Sequence, residues 1–409
     1  MTDINKIRNI AVIGSGLMGG YIAQLALLAG FEKVTLNDVN MERIDNCVAR
    51  IENGAYEKKE GLRAIESAGK LDEGLTTNIL LGRLRKEVDL AKAVKDADFV
   101  FEVVPELMKL KQEVFNNLGK LAPPRAILAS NTSTISISKI AELSGRPEQV
   151  VGMHFFIPLF GNRLIELIRG KHTSDEVMDA CFALGERFPC PYYKNKMYVV
   201  RIEKESPGFI MNRISAVIGI YFNWLAEQAL EKGVTWEQLE AEASIGEDAM
   251  GFITLLDYSG LDIIYDGLQY LHETLTPDIE AQQFLVDLVQ SGNLGAKTGK
   301  GFLQWTPGKK PKIDSTKKVG LFKVDELLDS LMAIQLNEGC RLLEEGVIPG
   351  YSVFNKVMLA MNYPSAFSIA KRNYEKWVLL LEELAEQTGK NYLKACDLMK
   401  SGDFIQMRK

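Results

Sequence analysis

"NIAVIGSGLMGGYIAQLALLAGF", residues 9–31, decides the fold. A short apolar strand runs into a glycine-rich turn, "GSGLMG", and then into a helix of small and apolar residues. Gly14, Gly16 and Gly19 stand at the spacing of a dinucleotide-binding turn. In such a turn the first glycine permits the sharp bend, the second lets a pyrophosphate approach the backbone, and the third lets helix and strand pack closely. Ser15, Leu17 and Met18 complete the turn, where a helix N-terminus offers free N–H groups and a positive dipole end to phosphate. "KVTLNDVN" (33–40) then reads as a second strand, and Asp38 near its end follows Gly19 by 19 residues. A carboxylate there suits ribose hydroxyls and repels a 2′-phosphate, so the cofactor expected is NAD rather than NADP. A glycine turn without a nucleotide is the plain alternative, but the strand, helix and acid around it supply the required context.

Further strands follow: "DADFVFEVV" (96–104), "AILASNTS" (126–133), "QVVGMHFF" (149–156) and "LIELIRG" (164–170), with the charged helix "PELMKLKQEVFNNLGKL" after the first of them. Strands alternating with helices predict an α/β domain of Rossmann type, built on a mostly parallel, doubly wound sheet. Residues 41–74 exceed a normal crossover and read as a long charged helical excursion with its own job. After "MYVVRIEKESPGF" the texture changes, and apolar residues recur at three- and four-residue spacing. The expected domains are an NAD-binding domain over 1–203, a helical closure domain over 204–305, a polar, basic linker over 306–320, and a second helical unit over 321–409. "LEKGV" (230–234) and "LEEGV" (343–347) each end a long amphipathic helix, an echo that suggests two similar helical units.

Composition sets outer bounds. A chain of 409 residues with 46% apolar and 25% charged residues suits a soluble protein of two or three domains. The net charge of −6 argues against nucleic acid as a partner. No apolar run reaches the ~18 residues of a membrane helix, so no membrane association is expected. Neither a signal peptide before Asn9 nor a sorting tail in "FIQMRK" is apparent, so the expected location is the cytoplasm. Cys47, Cys181, Cys190, Cys340 and Cys396 form no CxxC pair and the three histidines are scattered, so no metal site is expected.

Two polar features follow apolar strands. "SNTS" (130–133) lies at a strand's carboxyl end, where open α/β sheets bind ligands, though such clusters are more often plain loops. His154 likewise ends an apolar run. Dehydrogenation of an alcohol needs a base for the hydroxyl proton, and histidine has a suitable pKa. Glu166 could orient it from a neighbouring strand. From spacing alone, a catalytic base and a satisfied core histidine carry equal weight.

Together these stretches resemble the L-3-hydroxyacyl-CoA dehydrogenase family, 3-hydroxybutyryl-CoA dehydrogenases included, over roughly residues 8 to 305. The likeness rests on "VIGSGLMG", "VTLNDVN", "VFEVVPELMKLK", "ILASNTSTISI", "GMHFFIP", "LIEL", "SPGFIMNRI", "LLDYSGLD" and "GAKTGKGF" in that order. "LNEGCRLLEEGV" looks like the second helical repeat of longer members. The resemblance implies reversible oxidation of an (S)-3-hydroxyacyl-CoA, with hydride passing to NAD and placing the enzyme with fatty acid β-oxidation chemistry. It implies His154 as general base, Glu166 as its partner, Ser133 as a contact to substrate and nicotinamide, and Asn212 as a substrate-binding group. Glu106, Lys111 and Lys297 match cofactor-contacting positions. A second helical unit within one chain makes a monomer as natural an expectation as the family's homodimer.

Departures bear on the substrate. Ile157 stands where the family usually has asparagine, so one polar contact is lost and apolar surface gained. Phe160 replaces a proline, and Phe252 follows Gly251 where the family has "GP". Gly54 and Gly61 fall near the family's CoA-contacting serine and lysine; Lys58 and Lys59 could meet the CoA phosphates instead, or form a solvated helix face. Two other readings remain at this stage: a dehydrogenase of a free hydroxyacid or carnitine-like substrate on the same fold, and a non-catalytic dinucleotide-binding protein.

Overall fold

The computed structural model describes residues 7–55, 60–157, 162–190, 195–243, 251–306, 309–312 and 314–408. The chain divides into two compact units, 1–209 with 356–363, and 210–355 with 364–409.

The first unit is built on strands β1 (Asn9–Ile13), β2 (Lys33–Asn37), β3 (Leu84–Glu87), β4 (Phe99–Glu102), β5 (Ile127–Ser130), β6 (Val150–Phe155) and β7 (Leu164–Ile168), then a small hairpin of β8 (Pro189–Cys190) and β9 (Asn195–Lys196), and finally β10 (Tyr198–Ile202). Eight of them form one sheet in the order β10-β7-β6-β5-β4-β1-β2-β3. β1 to β6 run parallel, β7 is antiparallel to β6, and β10 is parallel to β7. The central strands are buried along their whole length, which is why they read as unbroken apolar runs rather than alternating ones. Phe101 packs edge-on against Phe155 at 5.9 Å, and Phe155 against Phe188 at 5.7 Å. Truncating any of these buried rings to alanine would cost ~3–5 kcal/mol.

Two features differ from the sequence reading. β3 is an edge strand, "LRKE", with only Leu84 buried, so it carries no apolar pattern. The charged helical excursion is divided into separate helices, Met41–Asn53 and Leu62–Ser67, with Thr77–Gly82 after them, a division the sequence reading did not make. The first ends at Gly54, whose φ of +92° favours glycine. A Cβ on Gly61 would lie 2.3 Å from the Gly54 nitrogen, so the chain doubles back tightly there. Lys58 and Lys59, and Phe160 further on, lie outside the described residues. Residues 356–363, from the later part of the chain, pack with the first unit, and the Arg163 N–H donates to the Ala360 carbonyl at 3.1 Å.

The second unit is helical. Helices Met211–Glu231 and Val324–Glu344 are both 21 residues long. Both end on a left-handed glycine, Gly233 (φ +77°) and Gly346 (φ +68°). In each, the glycine N–H and the following valine N–H return to helix carbonyls, from Gly233 to Leu230 and Val234 to Ala229, and from Gly346 to Leu343 and Val347 to Leu342. This is the same Schellman cap twice. Buried Arg213 joins the two helices: its guanidinium bonds Glu338 and both carboxylate oxygens of Glu345, and lies 3.3 Å from the Tyr392 hydroxyl. Elsewhere Asp257 accepts the Phe302 and Leu303 N–H groups and the Trp305 indole N–H, all at 2.9 Å, which fixes the glycine-rich turn of 295–305. Among the described residues, no helix is long and apolar enough to cross a membrane.

Candidate active site

The sheet reverses direction of winding between β1 and β4, the place where open α/β sheets receive ligands. The glycine turn sits there. Gly14 has φ +107°, and a Cβ on it would lie 2.5 Å from the Val103 carbonyl oxygen; one on Gly19 would meet the Gly14 oxygen at 1.9 Å. Both positions therefore exclude any side chain. Gly16 is exposed with nothing within 4 Å of its would-be Cβ, and it precedes helix Leu17–Leu28 without a side-chain cap. The open helix N-terminus fits a pyrophosphate. Asp38 ends the neighbouring strand connection, taking the Ser15 N–H and hydroxyl on one oxygen, both at 2.7 Å, and the Val39 N–H on the other. Burial pushes its carboxyl up, but these donors outweigh it and hold the pKa below the ordinary carboxylate value. An ionised carboxylate beside the turn suits ribose hydroxyls.

Behind the turn lies a buried charge cluster. Glu102, at the carboxyl end of β4, takes the Lys111 ammonium at 2.8 Å, the Val104 N–H at 2.8 Å and the Ser130 hydroxyl at 2.6 Å. Lys111 also reaches Glu106 at 3.2 Å and the Val104 carbonyl at 3.2 Å. Burial pulls the ammonium pKa down, but the two carboxylates more than offset it and raise it. For Glu106 burial acts upward, while Lys111, Thr132 and the Ser133 N–H hold its pKa below the ordinary value. Glu106 thereby gathers the loop after β5: it accepts from the Thr132 hydroxyl, from the Ser133 N–H at 2.8 Å and from the Thr134 N–H at 3.2 Å. Asn131 ties the same loop to β6 by accepting the Phe155 N–H at 3.0 Å. The loop that carries Ser133 is thus held at Glu106 and at β6.

His154 and Glu166 stand directly opposite one another in the antiparallel β6–β7 register. Nδ1 of His154 lies 2.9 Å from Glu166 Oε2, with the histidine 3% exposed and the glutamate 0%. Donation of Nδ1–H to a carboxylate leaves the lone pair on Nε2, the tautomer a general base needs. The ring packs against Phe156 at 4.2 Å and Phe209 at 5.8 Å. Phe209 is fully buried with φ +55°, a strained value for a bulky residue. Ile157 is half-buried against the unit's core, and its carbonyl accepts from the Asn162 amide at 2.7 Å.

The first unit thus holds Gly14 to Gly19, Asp38, Glu106, Lys111, Ser133, His154, Ile157 and Glu166. Asn212 and Lys297 belong to the second unit. Asn212 is half-buried in the first turn of helix Met211–Glu231, next to Arg213, and Lys297 pairs with Asp262. Sequence reasoning passed over Glu102. The signal for Glu102 was available: a lone carboxylate inside "FVFEVV" has to be paired once buried.

Comparison with known proteins agrees with this construction. Residues 9–189 match the 3-hydroxyacyl-CoA dehydrogenase NAD binding domain, and residues 208–305 the 3-hydroxyacyl-CoA dehydrogenase C-terminal domain. A probable 3-hydroxybutyryl-CoA dehydrogenase of Deinococcus radiodurans is 35% identical over 297 residues, covering 72% of this chain and 99% of that protein. A 3-hydroxybutyryl-CoA dehydrogenase of Bradyrhizobium diazoefficiens is 35% identical over 311 residues, covering 75% and 97%. The crystal structure of 3-hydroxybutyryl-CoA dehydrogenase from Escherichia coli K12 shares the fold, with a TM-score of 0.73 over 97% of this chain and 98% of that one at 23% identity. The sheet, its glycine turn and the matched domain define an NAD-dependent oxidoreductase. The chain belongs to the 3-hydroxyacyl-CoA dehydrogenase family.

Proposed function

We propose that this chain oxidises an (S)-3-hydroxyacyl-CoA reversibly to the 3-oxoacyl-CoA, with His154 as general base. The observation that carries this reading is the buried 2.9 Å contact between His154 Nδ1 and Glu166 Oε2 at the end of β6. Glu166 fixes the ring's tautomer and stabilises the imidazolium formed when Nε2 takes the hydroxyl proton. NAD, when bound, accepts the hydride. Gly14, Ser15, Gly16, Leu17, Met18 and Gly19 would receive its pyrophosphate, and Asp38 its ribose. Ser133, anchored through Glu106 and Asn131, orients the substrate hydroxyl, and Asn212 the thioester side.

Ile157 points to an acyl group that is bulky, cyclic or aromatic. Isoleucine neither donates nor accepts a hydrogen bond, so its side chain offers apolar surface where a polar contact would otherwise be made. The test is NADH formation across a panel of linear, branched and aromatic 3-hydroxyacyl-CoA esters beside free hydroxyacids and carnitine. Turnover of CoA esters is expected, highest with the larger acyl groups. Turnover of free hydroxyacids with every CoA ester inert would overturn the reading.

A further inference from the structure

The Glu102–Lys111–Glu106 cluster is unbalanced. Lys111 is 1% exposed, and its ammonium is enclosed by three acceptors: Glu102 at 2.8 Å, Glu106 at 3.2 Å and the Val104 carbonyl at 3.2 Å. One cation therefore faces two carboxylates. Glu102 is 0% exposed and acts only as an acceptor, from an ammonium, a backbone N–H and the Ser130 hydroxyl, which is the bonding of an ionised group. The cluster carries one net negative charge in a setting with little water to screen it.

Its position gives that charge a use. Glu102 ends β4, paired in register with Ile13 of β1 on one side and Ser130 of β5 on the other. Ile13 leads directly into the glycine turn, and the carbonyl of Val103, next to Glu102, is what excludes a side chain from Gly14. The charge therefore lies beside the strand ends that a dinucleotide bound at the glycine turn would cross. An oxidised nicotinamide ring carries a positive charge, and a reduced one carries none.

We propose that Glu102 is a specificity-determining residue for the cofactor's redox state: as one of two carboxylates sharing a single buried ammonium, it gives the cluster the negative charge that makes the site favour the oxidised, cationic nicotinamide over the reduced one. The idea rests on NAD lying at these strand ends. Glu102 acts through space on the ring and through Lys111, Ser130 and Val104 on the cluster's geometry, and the two effects separate experimentally. Through-space attraction changes the affinity for one redox form, whereas altered geometry changes both.

The experiment is equilibrium binding of NAD+ and NADH, by calorimetry and nucleotide fluorescence, to the wild-type chain and to Glu102→Gln and Glu102→Asp. Glu102→Gln removes the charge while keeping the shape, and is expected to weaken NAD+ relative to NADH by roughly five- to thirtyfold. Glu102→Asp keeps the charge and is expected to hold the ratio within about twofold of wild type. If Glu102→Gln does not fold, Glu102→Met serves as a second neutral replacement with the same expected shift. An unchanged ratio in the neutral variant, with both affinities falling together, overturns the proposal. So does an equal shift in Glu102→Asp. A wild-type chain that bound neither nucleotide would instead overturn the placement of the cofactor.

Discussion

His154–Glu166 in the first unit and Arg213–Glu338–Glu345 in the second both tie two elements together through a buried side chain bonded to carboxylate. The first joins neighbouring strands through a single contact at 2.9 Å. One nitrogen of the imidazole is committed to Glu166, and the other is the one proposed as the base. The second joins two long helices through a guanidinium that spends its donors on two carboxylates and a tyrosine hydroxyl. Burial lowers the Arg213 pKa, but the charge of Glu338 and the bonds to Glu345 raise it overall, so its proton never leaves. A pair that can change its protonation state can move a proton; a pair that cannot is confined to holding the fold. The difference lies in which nitrogen side chain was used and how many of its donors are occupied, not in burial.

Two substitutions separate the cases. His154→Gln keeps a polar group of similar size but offers no base. The expected outcome is a fall in kcat of ~10²–10⁴-fold, with the thermal midpoint moved by only a few degrees. Steady-state rates and a melting curve on the same sample read both. Full turnover in this variant would remove His154 from the mechanism. Arg213→Met reverses the pattern. It removes the closest cation from Glu338, which is 1% exposed and keeps the Tyr392 hydroxyl at 3.2 Å and the Arg341 guanidinium at 3.8 Å, while Glu345 stays solvated. The expected loss is ~3–5 kcal/mol of stability, read by denaturant unfolding. Well below the new midpoint, kcat should fall less than tenfold. A stable Arg213→Met protein would show that the cluster is not what holds the helices.

The legible parts of this chain are those set by short-range pattern. The β1–turn–helix–β2 run could be read because strand, glycines and acid follow one another within thirty residues. The "LEKGV" and "LEEGV" echo was visible as five letters, and both turned out to close a 21-residue helix with the same cap. What escaped were features whose cause lies elsewhere in the fold. β3 pairs with β2 through its backbone and buries one side chain, so nothing in "LRKE" announces it. The pairing of His154 with Glu166 was expected from a neighbouring strand, but not the antiparallel turn of β7 that makes it, because chain distance does not fix that register. Lys111 was read from resemblance as a cofactor contact; its complete enclosure by three acceptors follows only from the packing of its helix on the end of β4.

Ile157 gives the smallest expected effect and the sharpest comparison with His154, three residues before it on the same run. His154 is fixed by a partner on another strand. Ile157 is held by its backbone, through the Asn162 amide at 2.7 Å, while its half-buried side chain rests on the unit's core. The backbone contact survives any side-chain change, so Ile157→Asn alters only what the side chain offers. Losing its apolar packing should cost on the order of 1 kcal/mol. On the acyl-CoA panel, the amide is expected to raise kcat/KM for small linear acyl groups relative to bulky ones by roughly three- to tenfold, because one well-placed polar contact is gained and apolar wall is lost. A specificity profile that does not move, in a protein that is slightly less stable, would mean that this isoleucine serves the core and has no part in choosing the substrate.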